Sequence, residues 1–136
     1  MDFLTISNIS FYLQLLIFLG LIVGYMMVKR KRIVRHGYIM FMMYIIHIIS
    51  VLMVMIPSAI NIIGNLNFTN VEYMTIVHGI LGGVVLVLSS IILLNWRFQK
   101  PGAKCYKMKK FMLILIIFWI IETSLGVVEY YMLYLL

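Results

Sequence analysis

The stretch GYIMFMMYIIHIISVLMVMI at residues 37–56 decides the fold. None of its 20 positions carries an Asp, Glu, Lys or Arg, and an α-helix needs about 20 apolar residues to cross the hydrocarbon core of a bilayer. Pro57 is expected to end this helix, because proline breaks the hydrogen-bond pattern of a helix interior. Similar apolar stretches predict spanning helices at about 11–28, 73–96 and 111–135. The sequence therefore predicts an all-α membrane protein that forms a four-helix transmembrane bundle.

The composition excludes most soluble classes of protein. The chain is 65% apolar and 11% charged, whereas a soluble domain has about 25% charged residues. Its mean hydropathy is +1.12. Four spans leave too little sequence for a second domain, so residues 1–136 are expected to form a single transmembrane domain. The single Cys excludes an intrachain disulfide, and no hydrolase or nucleotide-binding motif supports enzymatic turnover.

The net charge of +7 is better explained by membrane topology than by nucleic-acid binding. All 11 Lys and Arg residues lie in two short segments, which contain Lys29, Arg30, Lys31, Arg32 and Arg35, and then Arg97, Lys100, Lys104, Lys107, Lys109 and Lys110. Short basic loops mark the cytoplasmic face of a membrane protein. We therefore expect a multi-pass protein of the cell membrane with cytoplasmic basic loops and both termini outside. Its expected surroundings are the lipid bilayer, with no nucleic acid.

The segments on the opposite side carry few charges and two glycosylation triplets. Asn8 and Asn67 each begin an N-x-S/T triplet on the predicted outer side, where glycans are attached in organisms that add them. The first apolar stretch is expected to be a retained helix, because its basic residues follow the apolar run instead of preceding it.

Ionisable side chains inside the spans are the candidates for a functional site, because such groups are costly in lipid. They are His47, His78, Glu122 and Glu129, with His36 at the basic end of the second helix. Counted from the basic segments at 1.5 Å per residue, His47 and Glu122 both lie about 18 Å into the membrane. His78 and Glu129 both lie about 28 Å in. The counts predict two His–Glu pairs, one at each level.

These pairs allow several interpretations. They can be hydrogen bonds that hold helices together, or they can bind haem, bind a metal or transfer protons. For haem b the candidate ligands are His36, His47 and His78, although a height difference of about 10 Å disfavours a simple bis-histidine site. For copper or another metal the candidates are His47, His78, Glu122 and Glu129. Copper also suits thioether ligands, and the chain has 12 Met residues.

Small residues predict where helices approach closely. Two motifs of this kind are Gly20-x-x-x-Gly24 and Gly79-x-x-x-Gly83. Gly126 lies near the face of the fourth helix that carries Glu122 and Glu129, because residues three and four apart, or seven apart, share a helix face.

The order of the polar and small residues also carries a family resemblance. The matching positions are Gly24-Tyr25 before the basic run, Arg35-His36 with Met40, His78, Lys109-Lys110, Trp119, and Gly126 followed by Tyr130 and Leu133. In these positions the chain resembles the small CtaM/YozB-like membrane proteins associated with assembly of haem–copper oxidases. The resemblance implies a role in oxidase maturation through haem or copper, with His36 and His78 as functional positions. Two features depart from the family pattern, namely Lys104-Cys105 in place of a His-bearing stretch and the two intramembrane Glu residues.

We therefore expect a small integral membrane protein of respiratory electron transfer or of haem–copper oxidase biogenesis. It would act as an assembly factor or accessory subunit, next to other membrane subunits or a second copy of itself. One alternative is a haem b electron carrier of the cytochrome b type. Another is a purely structural subunit of a membrane complex.

Overall fold

The computed structural model describes residues 3–64, 69–96 and 108–134, which are almost entirely helical and contain no strand. The helices are α1 (Phe3–Lys29), α2 (Ile33–Ser50), a π-helical segment (Val51–Met55), α3 (Ile56–Gly64), α4 (Asn70–Trp96) and α5 (Lys109–Tyr134). Four helical stretches are long and apolar enough to cross a membrane: Ser7–Lys29, Ile33–Asn61, Asn70–Trp96 and Lys109–Met132. The predicted all-α membrane fold with four spanning helices is confirmed, and the side on which the termini lie stays a prediction.

Pro57 does not end the second spanning helix, so that prediction is wrong. α2, the π-helical segment and α3 follow one another without a break from Ile33 to Gly64. A proline in a regular α-helix clashes with the carbonyl four residues before it. The turn before Pro57 is wider, because the Ile56 N–H donates to the Val51 carbonyl five residues back. This wider turn makes room for the proline ring, and the helix continues.

A tight turn with an unusual residue joins α1 to α2. The Lys31 N–H donates to the Val28 carbonyl at 2.9 Å, and the Arg32 N–H donates to the Met27 carbonyl at 2.9 Å. This is the Schellman pattern that ends many helices, and its left-handed position usually holds glycine. Here Lys31 takes that position with φ 58°, at a cost of about 1 kcal/mol relative to glycine. The turn makes α1 and α2 antiparallel neighbours.

The four spans close into a ring. α1 packs along α2 and α4 along α5, while α1 also contacts α5 and α2 contacts α4. Gly20 and Gly24 of α1 face Met43 and Met40 of α2, so the first small-residue motif is confirmed as a helix contact. Gly79-x-x-x-Gly83 is different. No atom of a neighbouring helix lies within 4 Å of the position that a Cβ would occupy at either glycine. The prediction of a close helix contact there is wrong for this chain.

The interior of the bundle is more polar than its surface. The buried apolar residues are Ile17, Leu21, Met43, Val85, Leu115 and Trp119. The buried polar residues are Ser10, Gln14, His47, Ser50, His78, Ser89, Glu122 and Thr123. Large apolar side chains cover the outside, for example Tyr12, Ile80 and Leu94, which are more than half exposed. This inside-out distribution is expected when the surrounding solvent is lipid.

Candidate functional site

Four buried polar side chains, one from each spanning helix, meet in the middle of the bundle. We call Gln14 of α1, His47 of α2, His78 of α4 and Glu122 of α5 the polar cluster. Their exposed fractions are 9%, 2%, 5% and 2%. Intramembrane ionisable residues default to functional candidates, and three of the four that the sequence placed inside the spans, His47, His78 and Glu122, are buried inside the bundle.

The centre of the polar cluster is the contact between His78 and Glu122. The His78 Nε2 lies 3.6 Å from the Glu122 Oε1. The Gln14 amide Nε2 lies 3.4 Å from the same ring nitrogen. The amide N–H therefore donates to Nε2 of His78, which places the ring proton on Nδ1. The Gln14 amide is thus the hydrogen-bond partner of this nitrogen, and the Glu122 carboxyl lies next to it without a hydrogen bond.

His47 belongs to the cluster through the backbone of α4. Its Nε2 donates to the Gly82 carbonyl at 3.3 Å, and its ring lies edge-on to Trp119 at a centroid distance of 5.6 Å. The Glu122 Oε1 also approaches Gly82, at 3.7 Å from the position that a Cβ would occupy. His47 and Glu122 are therefore at the same level, as predicted.

The predicted partners, however, are wrong. Glu122 contacts His78 instead of His47, and Glu129 accepts a hydrogen bond from the Thr75 hydroxyl instead of contacting His78. The physical reason is that a Glu side chain spans about one helical turn, which is also the uncertainty of a height counted along a tilted helix. Glu122 reaches one turn along α4, from the level of Gly82 to His78.

His36 lies apart from the polar cluster. Its Nδ1 donates to the Gly24 carbonyl of α1 at 2.9 Å. Gly24 is the residue whose missing side chain lets the imidazole approach, since a Cβ there would be 3.4 Å from the same nitrogen. In this structure His36 closes the α1–α2 contact near the basic end of the bundle.

Two cavities flank the polar cluster. The terminal cavity lies at the end of the bundle where α1 begins and α5 ends; it is open on one side and has a volume of about 700 Å³. Its lining includes Gln14, His78, Gly79, Gly83, Glu129 and Tyr130. The basic cavity lies at the opposite end, is likewise open on one side and has a volume of about 530 Å³. Its lining includes Lys31, His36, Tyr44, Ser89, Lys109 and Trp119.

Three buried polar atoms have no hydrogen-bond partner among the residues that the structure describes. They are Nδ1 of His78, Oγ of Ser89 and Nε1 of Trp119. Buried polar groups are normally paired, because an unmade hydrogen bond costs about 1–3 kcal/mol. All three belong to residues that line a cavity: His78 the terminal one, Ser89 and Trp119 the basic one.

The geometry does not fit a bis-histidine haem. His36 lines the basic cavity, His78 lines the terminal cavity and His47 lines neither. Neither cavity is lined by two of these imidazoles, so neither offers a bis-histidine haem site.

Nor do the described residues form a metal centre. Across 3–64, 69–96 and 108–134, no three His, Cys, Asp or Glu side chains are grouped so that they could hold a metal ion. The thioethers proposed for copper have another role, because Met40 and Met43 pack against Gly24 and Gly20. We derive no step through copper either.

Sequence reasoning missed Gln14. It is the one amide in the predicted first span, and attention to ionisable groups passed over it, although neutral polar residues also join membrane helices. Gly126 makes room for it, since a Cβ at that position would lie 2.7 Å from the Gln14 Cδ. The predicted role of Gly126 in close packing is thus confirmed, with Gln14 as the contact.

Some sequence predictions concern other parts of the chain. Asn67 and Cys105 lie outside the described residues. Asn8 lies in a spanning helix, where its side-chain oxygen accepts a hydrogen bond from the Tyr130 hydroxyl.

Compared with protein-family models, with curated proteins and with solved structures, the chain matches none of them.

Proposed function

We propose that this chain is a small integral membrane protein of respiratory electron transfer or haem–copper oxidase biogenesis, where it serves as an assembly factor or accessory subunit. The choice of this class follows from the resemblance of the sequence to the CtaM/YozB-like proteins. The proposal includes a location in the cell membrane with the basic loops on the cytoplasmic side and both termini outside. Its partners would be other membrane subunits or a second copy of the chain.

The observation that carries the proposal is the His78–Glu122 contact, with the Gln14 amide hydrogen-bonded to the same ring nitrogen. Burying two ionisable groups in the middle of a membrane bundle is expensive, and natural proteins keep such groups mainly for function. A purely structural network would be expected to satisfy its members, because a half-satisfied polar network is less stable than an apolar core. His78 keeps an unpartnered Nδ1 instead, and it lines a cavity.

The arrangement suits the positioning of a proton. His78 receives the Gln14 N–H at Nε2 and presents its own proton at Nδ1. Glu122 lies 3.6 Å from the same nitrogen, so a proton can pass from the carboxyl to the imidazole once the Gln14 N–H has moved off Nε2 and the carboxyl has moved closer. These two residues are therefore the ones on which we expect activity to depend.

A structural role fits other polar contacts better. The Tyr44 hydroxyl donates to Ser90 Oγ at 2.7 Å, and Ser90 in turn donates to the Leu86 carbonyl. Thr75 with Glu129, and Tyr130 with Asn8, likewise join neighbouring helices. Each of these contacts is complete in itself, as expected for hydrogen bonds that only hold helices together.

The proposal is tested by deleting the gene in its host and restoring wild-type or variant chains. Deletion is expected to lower oxygen consumption through the terminal oxidase, and wild type is expected to restore it. Glu122→Gln and His78→Gln should restore little, at normal levels of protein in the membrane. Tyr44→Phe is the matched control, because it removes a hydrogen bond between helices outside the polar cluster, and it should restore consumption fully. Normal oxidase activity in the deletion strain would refute the proposed function.

A further inference from the structure

We infer that the basic cavity binds one anionic phospholipid, with the headgroup phosphate at Lys31 and Lys109 and an acyl chain in the apolar depth of the cavity. This site is separate from the polar cluster, so the inference goes beyond the proposed function. Three features carry it, namely the charge at one end of the cavity, the length of its apolar part and the position of Lys31 in the chain.

Positive charge lines one end of the basic cavity, and no carboxylate of the chain balances it there. Lys31 lies in the turn between α1 and α2, Lys109 begins α5, and both line the cavity. All lining residues fall within 28–44 and 89–119, and neither stretch contains Asp or Glu. An anionic ligand at this end of the bundle would therefore meet uncompensated positive charge. Basic pockets between membrane helices bind anionic lipid headgroups in this way.

The remaining lining is mostly apolar and about as deep as one leaflet of a bilayer. Lys109 begins the fourth span, and Trp119 is the last residue of α5 that lines the cavity. At 1.5 Å per residue, the lining follows α5 for about 15 Å, and half of a hydrocarbon core about 30 Å thick is also about 15 Å. A charged end followed by an apolar space of this length matches the shape of a phospholipid, which can enter from the surrounding bilayer through the open side of the cavity.

Lys31 occupies a position that its own backbone disfavours. Its φ is 58°, in the turn where glycine is the usual residue. Membrane topology requires basic residues in this segment but not at this position, since Lys29, Arg30 and Arg32 already supply them. A strained residue points to a function that outweighs the strain, and the side chain of Lys31 lines the cavity.

Lys109 also stands where local stability favours a different charge. The first turn of α5 contains Lys109 and Lys110 and no acidic residue, although the positive end of the helix dipole favours acidic side chains there. The dipole and the two lining lysines therefore add to one another at this end of the cavity. A lipid with a net negative charge gains from both, and a lipid whose headgroup has no net charge gains less.

The inference is tested by fluorescence quenching of the purified protein in vesicles that mix phosphatidylglycerol with phosphatidylcholine. The chain has two Trp residues, Trp96 and Trp119, and both line the basic cavity. Brominated acyl chains quench tryptophan at short range, and bromine is placed on one of the two lipids at a time. Because the chains are identical, the comparison separates the charge of the headgroup from contact with bulk lipid. We expect phosphatidylglycerol to be preferred by about five- to thirtyfold, the attraction of one or two lysines.

Two double variants remove the same charge from the same two segments. Lys31→Gln with Lys109→Gln removes the lysines that line the cavity and should leave a preference below about twofold. Lys29→Gln with Lys110→Gln is the matched control, because these exposed lysines do not line the cavity, and it should keep the preference. Equal losses in both double variants would overturn the inference, since the preference would then come from general attraction between the basic segments and an anionic membrane.

Lys31→Gly separates lipid binding from folding. Glycine adopts positive φ without strain, so the variant should be at least as stable as wild type in thermal unfolding. Its preference for phosphatidylglycerol should nevertheless fall about fivefold, because one lining lysine is lost. An unchanged preference in Lys31→Gly would overturn the inference, and so would equal quenching of the wild-type protein by the two brominated lipids.

Discussion

A single methyl group at position 126 should disconnect Gln14 from His78 without a substitution at either residue. In Gly126→Ala, the new Cβ would lie 2.7 Å from both Cδ and Nε2 of Gln14. Since such atoms prefer about 3.5–4.0 Å, the amide has to move by about 1 Å. The Gln14–His78 distance is already 3.4 Å, and a contact much longer than this is no longer a hydrogen bond. We therefore expect the variant to lose this bond.

The effect of Gly126→Ala on stability should be small, because two terms oppose each other. Loss of a hydrogen bond between membrane helices costs about 0.6 kcal/mol, and alanine in place of glycine inside a helix contributes about 0.5–1 kcal/mol. Thermal unfolding in detergent should thus change little, while restoration of oxygen consumption in the deletion strain should fall. Gly64→Ala is the control, since nothing lies within 4 Å of its missing side chain. Full respiration with Gly126→Ala would refute the role of the Gln14–His78 bond, and a stability loss above about 2 kcal/mol would show that Gln14 has no room to move.

Three further results follow from the structure. Lys31→Gly should raise stability by about 1 kcal/mol in thermal unfolding, because glycine adopts positive φ without strain; a lower midpoint would contradict the turn geometry. Gly20→Leu should lower stability by about 1–3 kcal/mol in the same assay, since the side chain overlaps Met43 and overpacks the α1–α2 contact; stability like that of Gly64→Leu would argue against this contact. Cys105, the only thiol, should react with a membrane-impermeant maleimide only after cells are opened; labelling of intact cells would reverse the predicted topology.

The sequence predicts the spans well and their ends poorly. The length of each apolar stretch is enough to predict four helices, because in lipid a chain that does not form a closed barrel can satisfy its backbone hydrogen bonds only as a helix. The first helix nevertheless begins at Phe3, well before the predicted 11, and the second continues to Gly64, beyond the predicted 56. The apolar pattern stops at the polar residues near the membrane surface. The helix continues beyond it, because water or side chains can still form hydrogen bonds with the backbone there. Pro57 misled the prediction because one wide turn compensates for it.

For the candidate site, the sequence predicts which residues are buried but not which residues they contact. Burial of His47, His78 and Glu122 follows from the cost of ionisable groups in lipid, and the structure places all three inside. Their partners do not follow, since residue counts give height to about one turn and a Glu side chain covers that distance. Gln14 was missed because the search of the sequence considered only ionisable side chains, and its amide is neutral. The cavities could not be predicted because they depend on the order of the helices around the bundle, which the spacing of residues does not specify.

The wide turn at Val51–Met55 also determines which way the rest of the second span faces. A turn of this type holds one residue more than an α-helical turn, and each residue of an α-helix advances its direction by about 100°. Removing one residue from it would restore regular winding and rotate everything beyond by that angle. Met55 would leave its contact with Gly82, and a different side of α3 would border the terminal cavity. The shape of that cavity thus depends on the count of residues in a single turn, and length changes there should be tolerated far less than side-chain changes.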